Sequence, residues 1–352
     1  MSRVSIAHST TPMRRFFSKA AAAPAVSARI GRPNAHVKLA LLSKSDKEPA
    51  AFLAAVKAAV NPAIDATPRV VVRDPRVVSL SGLHNPKKTT YASLAWYDAS
   101  SHLDESPADA LLLGRNYLSH LLSSDGLVHV SLGGQTQAAE DFEMMLQDML
   151  QRDRDVIQKR SLDLDKKLAK KEDERSLHEK RLLNICLELL EKDKRISDHI
   201  WTEQEAAILT ELNFITAKPV LHIVMGGNCT TDKIYLDPSV SLKPEAAEDE
   251  AQIIIKKARE SVGLIDFFTA GQDEVRAWPI LKNTKAPKAA AEIHSDFEGR
   301  FIAAEIFNLE EYLKNGGESK CKVKNGNKDY IVQDGDIINF KLGPKKSSGS
   351  KK

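Results

Sequence analysis

The sequence predicts an α/β protein: a mainly parallel sheet that is interrupted by a long helical hairpin and followed by a small, strand-rich module. Three observations lead to this fold class. Short apolar runs alternate with helical patterns over residues 29–130, which is typical of βαβ units. Residues 138–196 lack Gly and Pro and repeat their apolar side chains at helical spacing, as paired helices do. Residues 264–342 carry several closely spaced strand patterns with turn residues between them.

The elements of the first region follow from the length and period of each apolar run. The predicted elements are an apolar helix beginning at 37–42, an alanine-rich helix over 50–60, strands over 70–72, 91–97 and 126–131, a helix over 117–122, a buried strand over 219–225 and a helix at about 251–262. A polar loop over 226–249 separates the last two elements. Because strands alternate with helices, we expect most strands to pair in parallel.

The helical region is expected to fold back on itself as an antiparallel hairpin with coiled-coil character, inserted into the α/β domain. Its apolar positions include Phe142, Leu164 and Leu182, and the polar segment 165–180 offers a place for the turn. The dense charges of this region are expected to form a solvated face. Docking of a protein partner is the alternative role.

Composition restricts the class of protein. A chain of 352 residues can hold about two domains, or three, and it has no run of the ~20 apolar residues that a membrane helix needs. The three cysteines, Cys186, Cys229 and Cys321, form no CxxC pair, which argues against a zinc knuckle or a disulfide framework. The formal net charge is +3, so nucleic-acid binding has to be argued from local patches.

The N-terminus is basic: the first acidic residue is Asp46, and Arg and Lys residues precede it among Ser, Thr and Ala. Residues 13–23 can form a basic amphipathic helix that Pro24 would end. This composition is typical of a mitochondrial transit peptide, so we expect residues 1–28 to be removed and the protein to act in the mitochondrial matrix. A disordered N-terminus without a targeting role is the alternative. The Lys, Ser and Gly tail over 343–352 is expected to be disordered.

The C-terminal module is predicted to be a small mixed sheet with one helix packed across it, the ubiquitin-like β-grasp arrangement. The predicted elements are strands over 274–280, 301–306, 330–332 and 336–340 and a helix over 289–297. The pair Asp334-Gly335 lies between the last two strands and is a strong signal for a hairpin.

Four segments of this module resemble the TGS domain of the Obg-like ATPase (YchF) family. They are Phe-Phe-Thr-Ala-Gly-Gln-Asp-Glu-Val-Arg-Ala-Trp at 267–278, Lys-Ala-Pro at 285–287, Ile-His-Ser-Asp-Phe-Glu at 293–298 and Val-Gln-Asp-Gly-Asp-Ile-Ile at 332–338. In that family the TGS domain is a β-grasp fold attached to a P-loop GTPase-like domain, and the proteins associate with ribosomes. The resemblance therefore implies a GTPase-like domain over 29–250, a linker helix over 251–263 and a TGS domain over 264–342.

A cluster of basic residues beside a tryptophan makes the module a candidate RNA- or partner-binding surface. The candidate residues are Arg276, Trp278, Lys282, Lys285 and Lys288. Cationic side chains can contact phosphates while an aromatic ring stacks on a base. The alternative is that Trp278 belongs to the core and the lysines only solubilise the surface.

The resemblance also implies a phosphate-binding loop in the GTPase-like domain. Such a loop needs glycines for close backbone approach, a lysine for the β- and γ-phosphates and a Ser or Thr for Mg²⁺. The segment 29–38 is similar to the family's Gly-Leu-Pro-Asn-Val-Gly-Lys-Ser. The remnant consists of Gly31, Pro33, Asn34, His36, Val37 and Lys38. His36 replaces the second glycine and Lys38 lies one position late, so we expect a degenerate loop.

Two further family motifs are altered. Asp98 matches the family's Asp-x-x-Gly switch, but Ser101 replaces its glycine. Met225 stands where the family has a base-recognising Asn, and a methionine cannot hydrogen-bond a purine edge as Asn does. These departures predict a pseudo-GTPase with no catalytic residues, no metal site and no cofactor. An active but divergent NTPase that uses Lys38 is the alternative.

We therefore expect a catalytically inactive, YchF-like mitochondrial protein that serves as a ribosome assembly factor or scaffold. Its expected partners are the mitochondrial ribosome or an assembly intermediate, through ribosomal RNA and ribosomal proteins. It is expected to be monomeric within that larger complex and to bind no membrane. A non-ribosomal adaptor that docks a protein through the helical hairpin is a second alternative.

Overall fold

The computed structural model describes residues 37–45, 47–60, 69–99, 113–225, 239–242 and 248–344. The predicted transit peptide, residues 1–28, and nearly all of the predicted tail lie outside these ranges. No helix within them is long and apolar enough to cross a membrane.

Two six-stranded sheets form the framework of the molecule. The strands are β1 (Lys38–Leu42), β2 (Arg69–Val71), β3 (Lys88–Thr90), β4 (Ser93–Asp98), β5 (Gly126–Ser131), β6 (Val220–Met225), β7 (Ser239–Leu242), β8 (Leu264–Ala270), β9 (Glu274–Leu281), β10 (Phe301–Phe307), β11 (Lys324–Gly326) and β12 (Ile337–Leu342). The helices are α1 (Lys47–Val60), α2 (Pro75–His84), α3 (Gly114–Leu122), α4 (Gly134–Leu168), α5 (Glu174–Glu191), α6 (Glu203–Thr210), α7 (Glu248–Ser261), α8 (Ala286–Ile293), α9 (Asp296–Arg300) and α10 (Leu309–Asn315).

The first sheet has the strand order β2-β4-β1-β5-β6-β7. All of its neighbours pair in parallel except β2, which is antiparallel to β4. Every residue of β5 and β6 is buried, because helices cover both faces of the sheet, and a strand buried on both faces is a continuous apolar run. The prediction of a mainly parallel α/β domain is confirmed.

The segment predicted as the start of an apolar helix is instead strand β1. Its last four residues, from Leu39 to Leu42, are all buried. A short, continuous apolar run does not reveal its period, so helix and strand cannot be told apart by pattern alone. The correction matters for function, since the loop that follows β1 is not the one that the sequence indicated.

Most other predicted elements of this domain are present, but α2, β3, α6 and β7 were missed. The helices and strands expected over 50–60, 70–72, 91–97, 117–122, 126–131 and 219–225 correspond to α1, β2, β4, α3, β5 and β6. The predicted polar loop over 226–249 lies largely outside the described residues. Its described part includes β7, which pairs in parallel with β6. This strand escaped prediction because its two apolar residues give too short a pattern.

The helical hairpin is confirmed as α4 and α5. Opposite charges join the two helices: Arg160 Nε donates to Glu179 Oε1 at 2.6 Å, and Lys167 Nζ lies 2.7 Å from Asp173 Oδ2 near the turn. At the root, the buried carboxylate of Asp153 accepts hydrogen bonds from the backbone N–H groups of Ile215 and Thr216, at 3.2 and 2.8 Å. These contacts tie the hairpin to the segment that leads into β6.

The second sheet belongs to the C-terminal module and has the order β11-β10-β12-β8-β9-β3. Helix α8 packs on one face, where Phe267, Trp278 and Ala290 belong to one apolar cluster. The predicted hairpin around Asp334-Gly335 is wrong in its first strand. Ile331 bridges to Lys285, while β12 pairs with β10 and β8. Asp334 and Gly335 do form a turn. The residues before this turn, however, pair with the segment that follows β9 and do not pair with β12.

Strand β3 is the unexpected member of this sheet. It comes from the upstream region, yet it pairs in parallel with β9, with Lys88 opposite Glu274 and Thr90 opposite Arg276. Thr90 Oγ1 also donates to Glu274 Oε1 at 2.6 Å. The upstream region therefore supplies a strand to the sheet of the C-terminal module.

A cluster of charges joins the same two regions. Arg76, on α2, contacts Asp74 at 2.7 Å and Asp334 at 2.8 Å. Arg259, on α7, makes two hydrogen bonds to the buried carboxylate of Asp266 in β8, at 2.7 and 2.6 Å. Burial alone would raise the pKa of Asp334, but its hydrogen bond from Arg76 lowers that pKa overall. The module is thus docked on the upstream domain through paired charges.

Candidate functional site

In open parallel sheets, ligands bind beyond the carboxyl ends of the strands. Strands β1, β4, β5 and β6 of the first sheet all run in the same direction, so their carboxyl ends lie at one edge. Residues 43–45 follow β1 at this edge and form the described part of the loop that leads to α1. That loop and its neighbours form the candidate nucleotide site.

The hydroxyl groups of this loop hold a carboxylate of the protein itself. Ser43 Oγ donates a short hydrogen bond to Glu48 Oε2, and Ser45 Oγ donates to the same oxygen at 3.3 Å. The backbone N–H of Leu132, after β5, donates to Glu48 Oε1 at 3.5 Å. A carboxylate in the first turn of a helix interacts favourably with the helix dipole. An incoming phosphate would have to displace Glu48 from these donors.

The lysine of the loop is held by the hairpin. Lys44 Nζ lies 3.3 Å from Asp141 Oδ1 on α4, and Asp141 also accepts a hydrogen bond from Gln137 at 3.0 Å. The phenol of Tyr117 supports the loop from below, since it accepts from the backbone N–H of Ser43 at 3.2 Å and donates to the carbonyl of Leu41. Burial raises the pKa of Tyr117, so this hydroxyl stays protonated.

Most of the predicted phosphate loop, including Gly31, Pro33, Asn34 and His36, lies outside the described residues. Val37 precedes β1 and Lys38 is its first residue, so Lys38 lies at the amino end of the strand, about 13 Å from the site edge at 3.3 Å per residue. Lys38 therefore begins β1, the first strand of the described residues, and does not follow it. Its backbone N–H donates to Asp125 instead.

The remaining predicted motif positions divide between the edge and the core. Asp98 is the last residue of β4 and lies at the site edge, while Ser101 is outside the described residues. Met225 ends β6 and is buried in the apolar core. Within the described ranges, no group of three or more His, Cys, Asp or Glu side chains could hold a metal ion.

A buried pair of histidines below the site was not predicted. His129 and His222 are opposite each other on β5 and β6, and their Nδ1 atoms are 3.1 Å apart. Phe142 of α4 packs against both rings. Burial lowers the pKa of His129 to about 4 and lowers that of His222 well below its ordinary value. Both rings are therefore neutral at physiological pH, and sequence pattern alone carries no signal for such a pair.

In the C-terminal module, Trp278 is a core residue. Only 8% of it is exposed, and its Nε1 donates to Thr269 Oγ1 at 3.0 Å. The Arg276 guanidinium carbon lies 3.7 Å from the ring centroid, and Phe267 stacks at 6.3 Å. Because the ring is already covered, this arrangement supports the core interpretation rather than stacking on an RNA base.

Two of the three candidate lysines have acidic partners. Lys285 Nζ lies 2.8 Å from Asp329, and Lys288 Nζ lies 2.8 Å from Glu298. The backbone N–H of Lys282 donates to the carbonyl of Gly263 in the turn after β9. The predicted cluster is therefore a row of mostly paired charges rather than a set of free cations.

These features define a class of protein: a GTPase-like α/β domain with a helical hairpin inserted after β5 and a β-grasp module docked at its C-terminus. A family model, YchF-GTPase_C, described as "Protein of unknown function (DUF933)", matches residues 264–343. The Obg-like ATPase 1 of Oryza sativa subsp. japonica is 30% identical over 392 residues, which cover 95% of this chain and 99% of the relative. The chain belongs to the Obg-like ATPase (YchF) family.

Two further relatives agree with this assignment. The ribosome-binding ATPase YchF of Bacillus subtilis is 29% identical over 327 residues, covering 78% of this chain and 88% of that protein. The solved structure of the Schizosaccharomyces pombe YchF GTPase matches with a TM-score of 0.75, over 89% of this chain and all of that one, at 24% identity. At this identity the structural match shows the fold. The family resemblance and the fold class are thus confirmed.

The expectation of a catalytically inactive pseudo-GTPase is wrong. Relatives that align with most of the chain are named ATPases, and the matched structure is that of a YchF GTPase. These findings point to an NTPase. In the described part of the chain, Lys38 is the first residue of β1 and lies at the amino end of that strand.

Proposed function

We propose that this protein is a ribosome-associated NTPase of the YchF family that acts in mitochondria. The observation that carries the proposal is the extent of the similarity. The alignment with a named Obg-like ATPase covers 95% of this chain and so includes the GTPase-like domain, the hairpin and the C-terminal module together. The Bacillus subtilis relative is named a ribosome-binding ATPase, which supports a ribosome as the partner.

Nucleotide turnover is assigned to the carboxyl edge of the first sheet. Ser43, Lys44 and Ser45 supply hydrogen-bond donors there, and Asp98 on the neighbouring strand supplies a carboxylate. Lys44 reaches the edge from the loop and is partly exposed. A nucleotide phosphate would compete with Glu48 for the serine hydroxyl groups and with Asp141 for the lysine.

Hydrolysis is tested with the purified full chain, by following phosphate release from ATP and from GTP in the presence of Mg²⁺. We expect turnover of at least one nucleotide, and we expect the double variant Ser43→Ala/Lys44→Ala to lose it. A matched variant, Ser119→Ala/Lys288→Ala, changes the same residue types away from the loop and should retain it. Absence of turnover in the wild-type chain, together with absence of nucleotide binding by calorimetry, would reject the enzymatic proposal.

The mitochondrial location is supported by the basic, acid-free composition of residues 1–28. It is tested by fusing these residues to a fluorescent reporter and by removing them from the full chain. The fusion should enter mitochondria and the shortened protein should not. A reporter that stays outside the organelle would remove this part of the proposal.

Ribosome association is tested separately, by sedimentation of the tagged full-length protein with mitochondrial ribosomes. We expect the protein to sediment with a ribosomal subunit or an assembly intermediate, and ribosomal RNA to be recovered with it. Recovery of the protein only in the soluble fraction, under all nucleotide conditions, would contradict the proposed partner while leaving the turnover result unaffected.

A further inference from the structure

We propose that the outer edge of the C-terminal module, at and beside strand β11, binds the phosphate backbone of RNA. We name this surface the lysine edge, and it consists of Lys320, Lys322, Lys324 and Lys328. It is separate from the cluster around Trp278 that the sequence first indicated. The assignment rests on the proposed ribosome association, because it specifies which surface of the protein would contact ribosomal RNA.

The first argument is charge. The segment 314–328 contains five lysines and a single acidic residue, Glu318. The lysine edge is exposed throughout, and Lys320, Lys322 and Lys328 form no ion pair with any residue that the structure describes. By contrast, Lys285 and Lys288 are paired with Asp329 and Glu298. Unpaired lysines are the ones that can neutralise phosphates and release counterions.

The nearby carboxylates are already occupied. Glu311 Oε1 accepts from the backbone N–H of Lys322 at 3.0 Å, Glu318 Oε2 accepts from Asn339 Nδ2 at 2.9 Å, and Asp329 is bound by Lys285 at 2.8 Å. These acids are therefore engaged with donors other than the ammonium groups of the lysine edge. Hydrogen bonds from neutral amide groups leave Glu311 and Glu318 charged, but the four lysines outnumber these two carboxylates, and Asp329 is paired with Lys285. The surface therefore keeps a net positive charge that a polyanion can satisfy.

The second argument is shape. Strand β11 is the outer strand of its sheet and pairs only with β10 there. Lys324 begins β11, Lys320 and Lys322 come before the strand, and Lys328 comes after it. Exposed cations at and beside the edge of a sheet suit the successive phosphates of a nucleic-acid chain better than they suit a compact anion.

The third argument is the aromatic ring of Tyr330, which lies beside Lys324. Lys324 Nζ lies 4.8 Å from the ring centroid of Tyr330, and the Tyr330 hydroxyl donates to Asp336 at 2.8 Å, which fixes the ring. Next to it, Ile331 and Val323 are each 42% exposed. Cations interleaved with an aromatic ring and small apolar surfaces are the composition with which proteins bind single-stranded RNA.

Lysines on an outer strand also discourage edge-to-edge pairing of sheets. This structural role and RNA binding predict different results, because a role in solubility alone would leave RNA affinity unchanged. The experiment therefore measures RNA affinity directly, with the full-length protein, together with its dependence on salt.

The test variant is Lys320→Ala/Lys322→Ala/Lys328→Ala, and the probe is a short fluorescein-labelled RNA taken from ribosomal RNA, titrated by fluorescence anisotropy. We expect affinity to fall at least tenfold. The slope of log affinity against log salt should decrease by about two, since each lost phosphate contact removes roughly 0.7 from the slope for single-stranded nucleic acid. The matched control, Lys282→Ala/Lys285→Ala/Lys288→Ala, removes the same number of charges from the same module and should bind within about twofold of wild type.

Replacement of the same three lysines by arginine should restore binding, which separates loss of charge from loss of fold. Three results would overturn the proposal: wild-type protein that binds no RNA, a test variant that binds as tightly as wild type, or a control that loses as much affinity as the test variant. A test variant that keeps RNA affinity but no longer sediments with ribosomes would assign the surface to a protein partner instead. The RNA titration decides the lysine edge even if ribosome sedimentation of the wild-type chain fails.

Discussion

The loop after β1 and the lysine edge are two places where an anion can bind, and they differ in how their charges are satisfied. At the loop, the serine hydroxyl groups hold Glu48 and the lysine is paired with Asp141. At the lysine edge, three lysines have no ion pair among the described residues, and the carboxylates beside them accept from amide groups instead of from these ammonium groups. The polar and charged groups of the loop are paired within the chain, whereas the ammonium groups of the lysine edge are left for an external anion.

The difference indicates how each site would respond to a ligand. An anion that enters the loop must replace an existing carboxylate. The hydrogen bonds that it gains are therefore offset by those that Glu48 loses, and its net free energy of binding is small. An anion at the lysine edge replaces only water and counterions. Substitutions in the two regions can test whether they unfold as one cooperative unit. They can also test whether the charges at the two sites differ in their effect on ligand binding.

The largest effect is expected where the two regions are joined. Arg259→Met removes the buried guanidinium that holds Asp266, with 9% and 2% of the two side chains exposed. Loss of one partner of a buried ion pair leaves the other charge uncompensated. We expect the free energy of unfolding to fall by about 3 kcal/mol or more, as measured by chemical denaturation.

The matched control for this variant is Lys257→Met, which breaks the exposed pair with Glu260 on the same helix. It should change stability by less than about 1 kcal/mol. Arg259→Met could instead unfold the C-terminal module separately while the first sheet keeps its stability. In that case the two regions are independent domains and not one cooperative unit.

The second effect concerns the histidine pair below the loop. Burial holds the pKa of His129 at about 4, whereas the unfolded chain titrates near 6.5. Between these values the unfolded state binds protons that the folded state excludes, so stability is lost as pH falls from about 6.5 to 4. For His129 this corresponds to a decrease on the order of 3 kcal/mol.

The pH dependence is measured by denaturation at a series of pH values between 7 and 4. The double variant His129→Leu/His222→Leu should have a flatter profile in this range, with Asp141 and Arg195 unchanged as the charged groups that act on the pair. An equally steep profile in the double variant would show that other groups control acid stability.

The third effect tests the close approach of β11 to the ring beneath the lysine edge. A Cβ atom at Gly326 would lie 2.6 Å from Ile306 Cδ1 and 3.1 Å from Tyr330 Cγ. Gly326→Ala should therefore lower the free energy of unfolding by about 2 kcal/mol through overpacking. Gly271→Ala, where a Cβ meets nothing within 4 Å, should have little effect. Equal stability of the two variants would mean that β11 can move away from Tyr330.

The smallest effect concerns the loop itself. Glu48→Gln keeps the shape of the side chain but removes the negative charge that competes with phosphate. We expect nucleotide affinity, measured by calorimetry, to rise about tenfold, or roughly 1.4 kcal/mol. Glu310→Gln makes the same change in the C-terminal module and should leave affinity unaltered. Weaker binding in Glu48→Gln would indicate that the carboxylate assists nucleotide binding instead of opposing it.

Patterns that repeat along the chain were predicted well from sequence. The hairpin was found because its apolar residues recur over many turns, and strand β5 because a turn on each side delimits it. The C-terminal module was identified by motif segments that include the buried residues Phe267 and Trp278. The hairpin and β5 were therefore predicted from local patterns, and the C-terminal module was recognised through its resemblance to the family.

Features that depend on distant contacts could not be predicted in the same way. Strand β3 is only three residues long and is defined by its pairing with β9. The role of Glu48 depends on Ser43 and on Leu132, which comes from another strand end. The segment 29–38 was matched to a family motif before the position of β1 was known. A short apolar run gives no period, so only the sheet could show which loop follows it.

Strand β3 belongs to the upstream region but pairs within the C-terminal sheet. This pairing determines which segments must be moved together when chimaeras are made between relatives. A cut before Leu264 separates β9 from β3, so a transplanted module would carry a bare edge at β9, which invites pairing with other chains. A chimaera that also transfers residues 76–90 would keep both the strand and the Arg76 contacts to Asp334. The structural unit that can be exchanged therefore consists of two separate segments of the chain.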